Sequence, residues 1–382
     1  MPSFDELLLA KRALSAQYLR PSLLMASAGF AATNIVREAI AFADRNVHAV
    51  GLGRKFVEGK AVGDLCVRLY VRQKLAESLL APIDLLPKTI NGIPTDVVEA
   101  PPARIAGKKQ AKRVTPRSGG RFASAAPVAP AAPVVSAAAA AGAVPAAAPC
   151  TQNRQNQQRP FVAGISIGHV NISAGTLGYF CRSTRAGDDA NTIYLLSNNH
   201  VFADLNRGVA GDEIDQPGRV DGGTNADRVA TLARFQPLKL NGAANQIDAA
   251  IATVDDGVDC TTSICSIGAV SGVSDAKEDQ FVRKHGRTTG YTEGQIDDLS
   301  FDVTIQMDHN DPSKWALFTN QIRITRTPNY PAFALAGDSG SLVVDRDSQS
   351  AIGLFFACPP DGSYGIANRL SDVLQSLEVQ LL

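Results

Sequence analysis

The stretch Leu335-Ala336-Gly337-Asp338-Ser339-Gly340-Ser341-Leu342-Val343-Val344 sets a serine between small residues, directly ahead of an apolar, β-branched run. The run reads as a strand and the glycines before it as a tight turn. Nucleophilic work by serine needs that setting. The hydroxyl must sit on a turn, backbone N–H groups must face the carbonyl oxygen under attack, and a rigid strand must hold both. Gly337 and Gly340 let the backbone bend and let a second chain come close. The N–H groups of Gly337 and Ser339 are the natural donors. The same string also makes an ordinary Gly-Asp-Ser-Gly hairpin turn, so the reading depends on a base and an orienting acid elsewhere.

Both stand upstream. Ile193-Tyr194-Leu195-Leu196-Ser197-Asn198-Asn199-His200-Val201 is an apolar strand that ends in a histidine, and Gln246-Ile247-Asp248-Ala249-Ala250-Ile251-Ala252 puts an acid at the mouth of another. The order is His, Asp, Ser, with separations of 48 and 91 residues. In the chymotrypsin arrangement the separations are about 45 and about 93.

In order, spacing and local context the chain resembles the chymotrypsin/trypsin-like serine peptidases. More narrowly, it resembles the intracellular bacterial and plant group that includes the plant NARROW LEAF protein. The residues that carry this are Gly164 to His169, Ala174 to Gly178, Leu195 to His200, Gln216-Pro217-Gly218, Gly286-Arg287-Thr288-Thr289-Gly290 and Gly337 to Val344. They span about 160–382, and more loosely 45–100.

The resemblance implies a mainly β fold of two six-stranded barrels, with His200 and Asp248 from the first and Ser339 from the second. It implies serine endopeptidase activity on a protein or peptide substrate, no cofactor and no metal. His200 would be the base, Asp248 its orienting acid, and the amides of Gly337 and Ser339 the oxyanion hole. The base of the primary pocket would fall on Phe333 and its wall on Leu354 to Ala357, Phe355 and Phe356 included, so an apolar pocket for a small or aliphatic residue is expected. Asp338 matches the acid that pairs with a freed N-terminus in trypsin. No matching start follows a basic residue here, and the nearest candidate, Arg159-Pro160-Phe161-Val162, has proline after the arginine. Activation without such a cut, or by a partner or oligomerisation, is expected. Relatives suggest a homo-oligomer and a dedicated partner protein in a bacterial defence system.

The rest of the chain divides by composition. Its 382 residues suit two unequal domains, and its net charge of zero implies no bulk attraction to nucleic acid or anionic membrane. No apolar run is long enough to span a bilayer. The start lacks the basic-then-apolar layout of a secretion signal. The six cysteines, at 66, 150, 181, 260, 265 and 358, are scattered. Reduced thiols and a cytoplasmic location are therefore expected. Cys260 and Cys265 could pair or bind metal, but two ligands alone make a weak zinc site.

Residues 1–45 read as N-terminal helices, at 3–20 with a Ser3/Glu6 capping box and at 32–44. Residues 46–100 read as a small α+β domain with a short helix in 75–86. Residues 101–160, basic and then Ala/Pro-rich, read as a flexible linker. From 161 to 382 the chain reads as the protease domain. Strands are expected near 163–169, 175–182, 192–197, 228–235, 247–254, 280–285, 294–305, 316–325, 341–345, 351–357 and 364–368, with a closing helix at 370–378. Asp212, Asp215, Asp227, Asp255 and Asp256 fall in turn-rich stretches and are expected to be solvated. His48, His169, His285 and His309 are read as structural, with His285 the one to watch.

Two other readings compete. A binding or scaffold protein on the same fold, weak or inactive in catalysis, is the runner-up, and the intact set of His200, Asp248, Ser339 and Gly337 argues against it. An esterase of the α/β-hydrolase kind would have the order Ser, acid, His and a strand–helix elbow, neither of which is present.

Overall fold

The computed structural model describes residues 2–19, 45–57, 60–105, 150, 153–240, 242–308, 311 and 314–382. The helix expected at 32–44, His309 and most of the linker lie outside them.

Helix α1 (Phe4–Tyr18) starts on the expected box: Ser3 accepts from the Glu6 amide, and Glu6 accepts from the Ser3 amide. Its buried face, Leu7, Ala10 and Leu14, packs on Val50, Leu52, Val67 and Leu69. These belong to β1 (Val47–Val57) and β2 (Lys60–Val71), an antiparallel pair. After two short 3-10 turns, at 77–79 and 82–84 in place of the expected helix, come β3 (Thr89–Ile90), β4 (Ile93–Glu99) and β5 (Arg104–Ile105). Pro82 and the absence of helical hydrogen bonding beyond one turn cut that stretch short.

The next segment holds β6 (Phe161–Ala163), β7 (Ser166–His169), β8 (Gly175–Thr176), β9 (Tyr179–Ser183), β10 (Tyr194–Ser197), a one-turn helix α2 (Asn199–Phe202), β11 (Glu213–Asp215), β12 (Arg228–Phe235), β13 (Ala244–Asn245), β14 (Ala250–Val254) and β15 (Cys260–Ile264). Then follow β16 (Phe281–Gly286), β17 (Gly290–Gln306), β18 (Trp315–Arg326), β19 (Leu342–Asp345), β20 (Ala351–Cys358), β21 (Tyr364–Arg369), helix α3 (Leu370–Leu377) and β22 (Val379–Leu381).

The fold is mainly β. The first sheet runs β22–β9–β10–β14–β12–β11–β7–β8 around a core that includes Phe161, Phe180, Leu196, Phe202 and Ile251. The final strand β22 returns to its edge, so this sheet has eight strands where six are expected. In the second, β18–β21–β20–β19–β16–β17 are neighbours in turn and β17 pairs back onto β18, which closes six strands into a ring. The 17-residue β17 is long because its burial alternates residue by residue along most of its length.

The N-terminal strands join this second sheet. Ala49 and Val50 of β1 pair with Val303 and Asp302 of β17. A buried ionic seam fastens α1 to the same strand, with Lys11 Nζ 2.5 Å and Ser15 Oγ 2.7 Å from the Asp302 carboxylate.

Both ends of the expected linker are packed. Residues 101–105 lie on β20 and β17. Arg154 donates to the carbonyls of Arg287 (2.8 Å) and Thr288 (2.7 Å). Composition marked these ends as loop, but an extended peptide can bury its backbone against a sheet edge whatever its propensity.

Candidate active site

His200 stands on α2, just past β10, with Asn198 in extended backbone at the N-cap position between them. Asn198 Nδ2 also donates to the Asp248 carbonyl (2.7 Å), which ties the two loops together. The Asp248 carboxylate spends both oxygens on His200. Its Oδ2 lies 2.5 Å from Nδ1, and its Oδ1 accepts from the His200 amide at 3.2 Å. A carboxylate so placed fixes the proton on Nδ1 and leaves Nε2 as the lone-pair nitrogen. That Nε2 is buried and has no hydrogen-bond partner among the described residues.

Asp248 is wholly buried, and its own amide donates to Asn368 Oδ1 (3.0 Å) on β21, across the two sheets. Asn368 Nδ2 in turn donates to Gln321 Oε1 (2.7 Å), and Gln321 Nε2 to the Gln246 carbonyl (2.8 Å). Sequence reasoning missed Asn368. Its signal was a polar residue ending an otherwise apolar strand.

Ser339 lies on the turn between the two glycines. Gly337 (φ +101°) and Gly340 (φ +94°) are both in the left-handed region. A Cβ on Gly340 would come within 2.1 Å of Ser197 Oγ, so neither position admits a side chain. The amides of Asp338, Gly340 and Ser341 are taken by the carbonyls of Leu335, Phe355 and Asp338. Those of Gly337 and Ser339 have no such acceptor among the described residues. Ser339 Oγ donates to the Phe356 carbonyl at 3.2 Å.

Behind the turn, Asp338 is buried and fully satisfied. It accepts from the amides of Thr288 (2.8 Å), Thr289 (3.0 Å) and Leu335 (2.9 Å) and from Thr289 Oγ1 (2.8 Å). Lys284 Nζ, from β16, stands 3.3 Å away. Burial pushes the Asp338 carboxyl up, but Lys284 and these donors outweigh it and hold the group below the ordinary carboxylate range. Lys284 is a second residue the sequence did not single out. It is a wholly buried cation in the basic run Arg283-Lys284-His285 of β16.

The expected pocket residues fall in two clusters. Phe333 and Phe355 pack edge to face at 6.3 Å inside the ring. Phe356 lies tilted against Phe318, ring centroids 4.6 Å apart, in a different cluster. The register of β20 against β21 shifts between Phe355 and Ala357, and Phe355 and Phe356 fall in separate clusters.

Three further expectations change. Asp215 is buried beside Arg219 (2.8 Å), and Asp212 accepts from His169 Nε2 (3.0 Å), so neither is simply solvated. Cys265 is disulfide-bonded to Cys150, not to Cys260, which is free. Scattered spacing could not reveal a partner 115 residues away at the end of the linker. His285 donates from Nδ1 to the Gly164 carbonyl (3.0 Å), and burial pulls its pKa down to about 4. One of its ring nitrogens and the two sulfurs lie within 4.8 Å of one another. With the cysteines joined, only the imidazole remains as a metal ligand there.

Comparison with known proteins finds no matching family model and no matching curated protein. Solved structures do match. Thermobifida fusca protease A aligns with 58% of this chain and 97% of its own, at 16% identity and a TM-score of 0.41. A glutamic-acid-specific serine protease gives 58% and 100%, at 18% identity and 0.41. The Cellulomonas bogoriensis chymotrypsin gives 58% and 99%, at 17% identity and 0.40. No helix among the described residues is long and apolar enough to cross a membrane.

Proposed function

We propose that the chain is a serine endopeptidase that cuts peptide bonds of a protein substrate through an acyl-enzyme. The observation that carries this is the His200 imidazole. Its Nδ1 is pinned by buried Asp248 while its Nε2 is left without a partner, in a molecule whose one Gly-Asp-Ser-Gly turn is held by a dedicated buried lysine.

In this reading Ser339 Oγ leaves the Phe356 carbonyl, passes its proton to His200 Nε2 and attacks the substrate carbonyl carbon. The tetrahedral oxyanion is taken by the amides of Gly337 and Ser339. His200 then gives the proton to the leaving amine, and water repeats the sequence on the acyl-enzyme. Asp248 stays ionised throughout and stabilises the imidazolium. Losing one oxyanion donor typically costs about 2.7–4 kcal/mol.

Membership of the intracellular bacterial and plant group rests on the quoted glycine-rich stretches. The Cys150–Cys265 bond weighs against a reducing cytoplasm. The scaffold reading has one observation in its favour, the complete burial of Ser339.

Hydrolysis of fluorescently labelled casein by the wild type beside Ser339→Ala tests the proposal. Peptide release by the wild type alone is expected, and equal release by both would exclude Ser339 as the nucleophile.

A further inference from the structure

The edge of β20 changes partner at the nucleophile. Phe355 N donates to Ser341 O, and Gly340 N donates to Phe355 O. One residue on, the Phe356 carbonyl takes the Ser339 hydroxyl. One further still, the partner is the chain's own segment: Ala357 pairs with Ile105 and Cys358 with Arg104, antiparallel. The direction matters. As β5 runs from Arg104 to Ile105 it moves along β20 towards Phe356, and hence towards Ser339.

The segment is seated, not merely adjacent. Tyr364 Oη donates to the Pro101 carbonyl (2.6 Å), and His48 Nε2 bonds the Ala100 carbonyl (2.9 Å). Arg104 also pairs with Gln306 of β17 on the other side. Ala103 and Ile105 are buried among Phe356, Tyr364, Ala357 and Leu238, while Arg104 between them is exposed. This is an extended peptide added to a sheet edge, with alternate side chains in apolar seats. Ser339, whose hydroxyl reaches the carbonyl of the neighbouring Phe356, shows no accessible surface.

We infer that residues 101–105 occupy the place where a substrate chain lies, and that the protein carries a tethered, substrate-like inhibitor of its own site. The inference rests on the peptidase reading above. It also names the substrate class: an extended peptide, antiparallel to Ala357–Cys358, with an aliphatic side chain in the Ile105 seat and a small one two residues before it. Opening the site requires lifting β5, which the N-terminal strands hold at Ala100 and β21 holds at Pro101.

The test compares full-length wild type with Ile105→Gly and Ile105→Asp. Two readouts are taken on each: the rate of Ser339 labelling by a fluorophosphonate, and hydrogen exchange of peptides covering 101–105 and 355–358. If β5 is seated nine-tenths of the time or more, its release speeds labelling about ten-fold or more. Exchange at 355–358 should rise with it, and the amide-capped peptide Pro-Pro-Ala-Arg-Ile added in trans should slow labelling again. Equal labelling rates in folded wild type and variants, with unchanged exchange, would overturn the inference while leaving the peptidase intact. Faster exchange with no label in any protein would uphold the seating of β5 and overturn the peptidase reading. If Ile105→Asp unfolds, Ile105→Gly and the exchange of the wild type decide alone: fast exchange at both segments in the wild type overturns the inference.

Discussion

Lys284 Nζ lies 3.3 Å from Asp338 Oδ2, and neither side chain reaches solvent. The acid next to the nucleophile thus has its cation already inside the fold, on β16. No new N-terminus is needed to neutralise it. Lys284→Met should leave a buried, uncompensated carboxylate. Removing one partner of such a pair costs about 3–5 kcal/mol. A lowered thermal midpoint together with loss of Ser339 labelling is expected. Full labelling with an unchanged midpoint would show that the ion pair does not hold the turn. Intact mass of the labelled wild type should show no cut near Phe161.

Asp248→Asn would keep the shape and lose the tautomer. By the serine-protease precedent turnover should fall about 10⁴-fold with the fold intact. Circular dichroism and casein hydrolysis on the same sample check both halves.

Asn368 acts through Asp248 and is a positioning residue. Asn368→Ala leaves the buried Asp248 amide without its acceptor, at a cost of about 1–3 kcal/mol. The expected signature is a lower kcat with KM nearly unchanged. A change in KM alone would assign Asn368 to substrate binding.

Asp298 on β17 is buried and accepts from the Leu52 and Ser300 amides and Tyr70 Oη. Burial raises its pKa to about 6, with Arg68 and the amides opposing. A raised acid favours its neutral form in the folded state. Its contribution is therefore complete below its unfolded pKa near 4 and is lost as pH rises through about 6. At about 1.4 kcal/mol per unit this amounts to no more than about 3 kcal/mol. Thermal unfolding should show a higher midpoint at pH 5 than at pH 7.5, and Asp298→Asn should flatten that difference. An identical slope in the variant would place the titration elsewhere.

Cys150 and Cys265 should resist alkylation in unreduced, denatured protein, while Cys66, Cys181, Cys260 and Cys358 react. Cys265→Ser opens a loop of more than a hundred residues and should lower stability, by about 4–5 kcal/mol in the chain-entropy picture. Six alkylated cysteines without reductant would mean that the pair is reduced in solution.

Much of this was legible beforehand, for physical reasons. The strands of the second ring announce themselves because each has one buried and one wet face or a wholly apolar run, as in Gly290–Gln306 and Ala351–Cys358. His200, Asp248 and Ser339 each end or begin such a run, which is what singled them out in the sequence. What stayed hidden was long-range. Asn368 matters only because β21 passes behind Asp248, and Lys284 only because β16 faces Asp338. The partner of Cys265 lies 115 residues away, within the expected linker. Residues 101–105, Pro-Pro-Ala-Arg-Ile, have only Ile105 to favour a strand, and their structure is lent by β20 and β17. The pocket register at Phe333, Phe355 and Phe356 came from resemblance alone, and no local pattern in the sequence marks the shift in β20 between Phe355 and Ala357.

The measurement that bears most directly on the central claim is mass spectrometry of the chain after exhaustive treatment with a fluorophosphonate, using wild type, Ile105→Gly, Ser339→Ala and His200→Ala. One adduct per chain, on the peptide that contains Ser339, in the first two and none in the last two is the expected result. A folded Ile105→Gly protein that takes no adduct, or takes it on another residue, would contradict an activated serine at position 339.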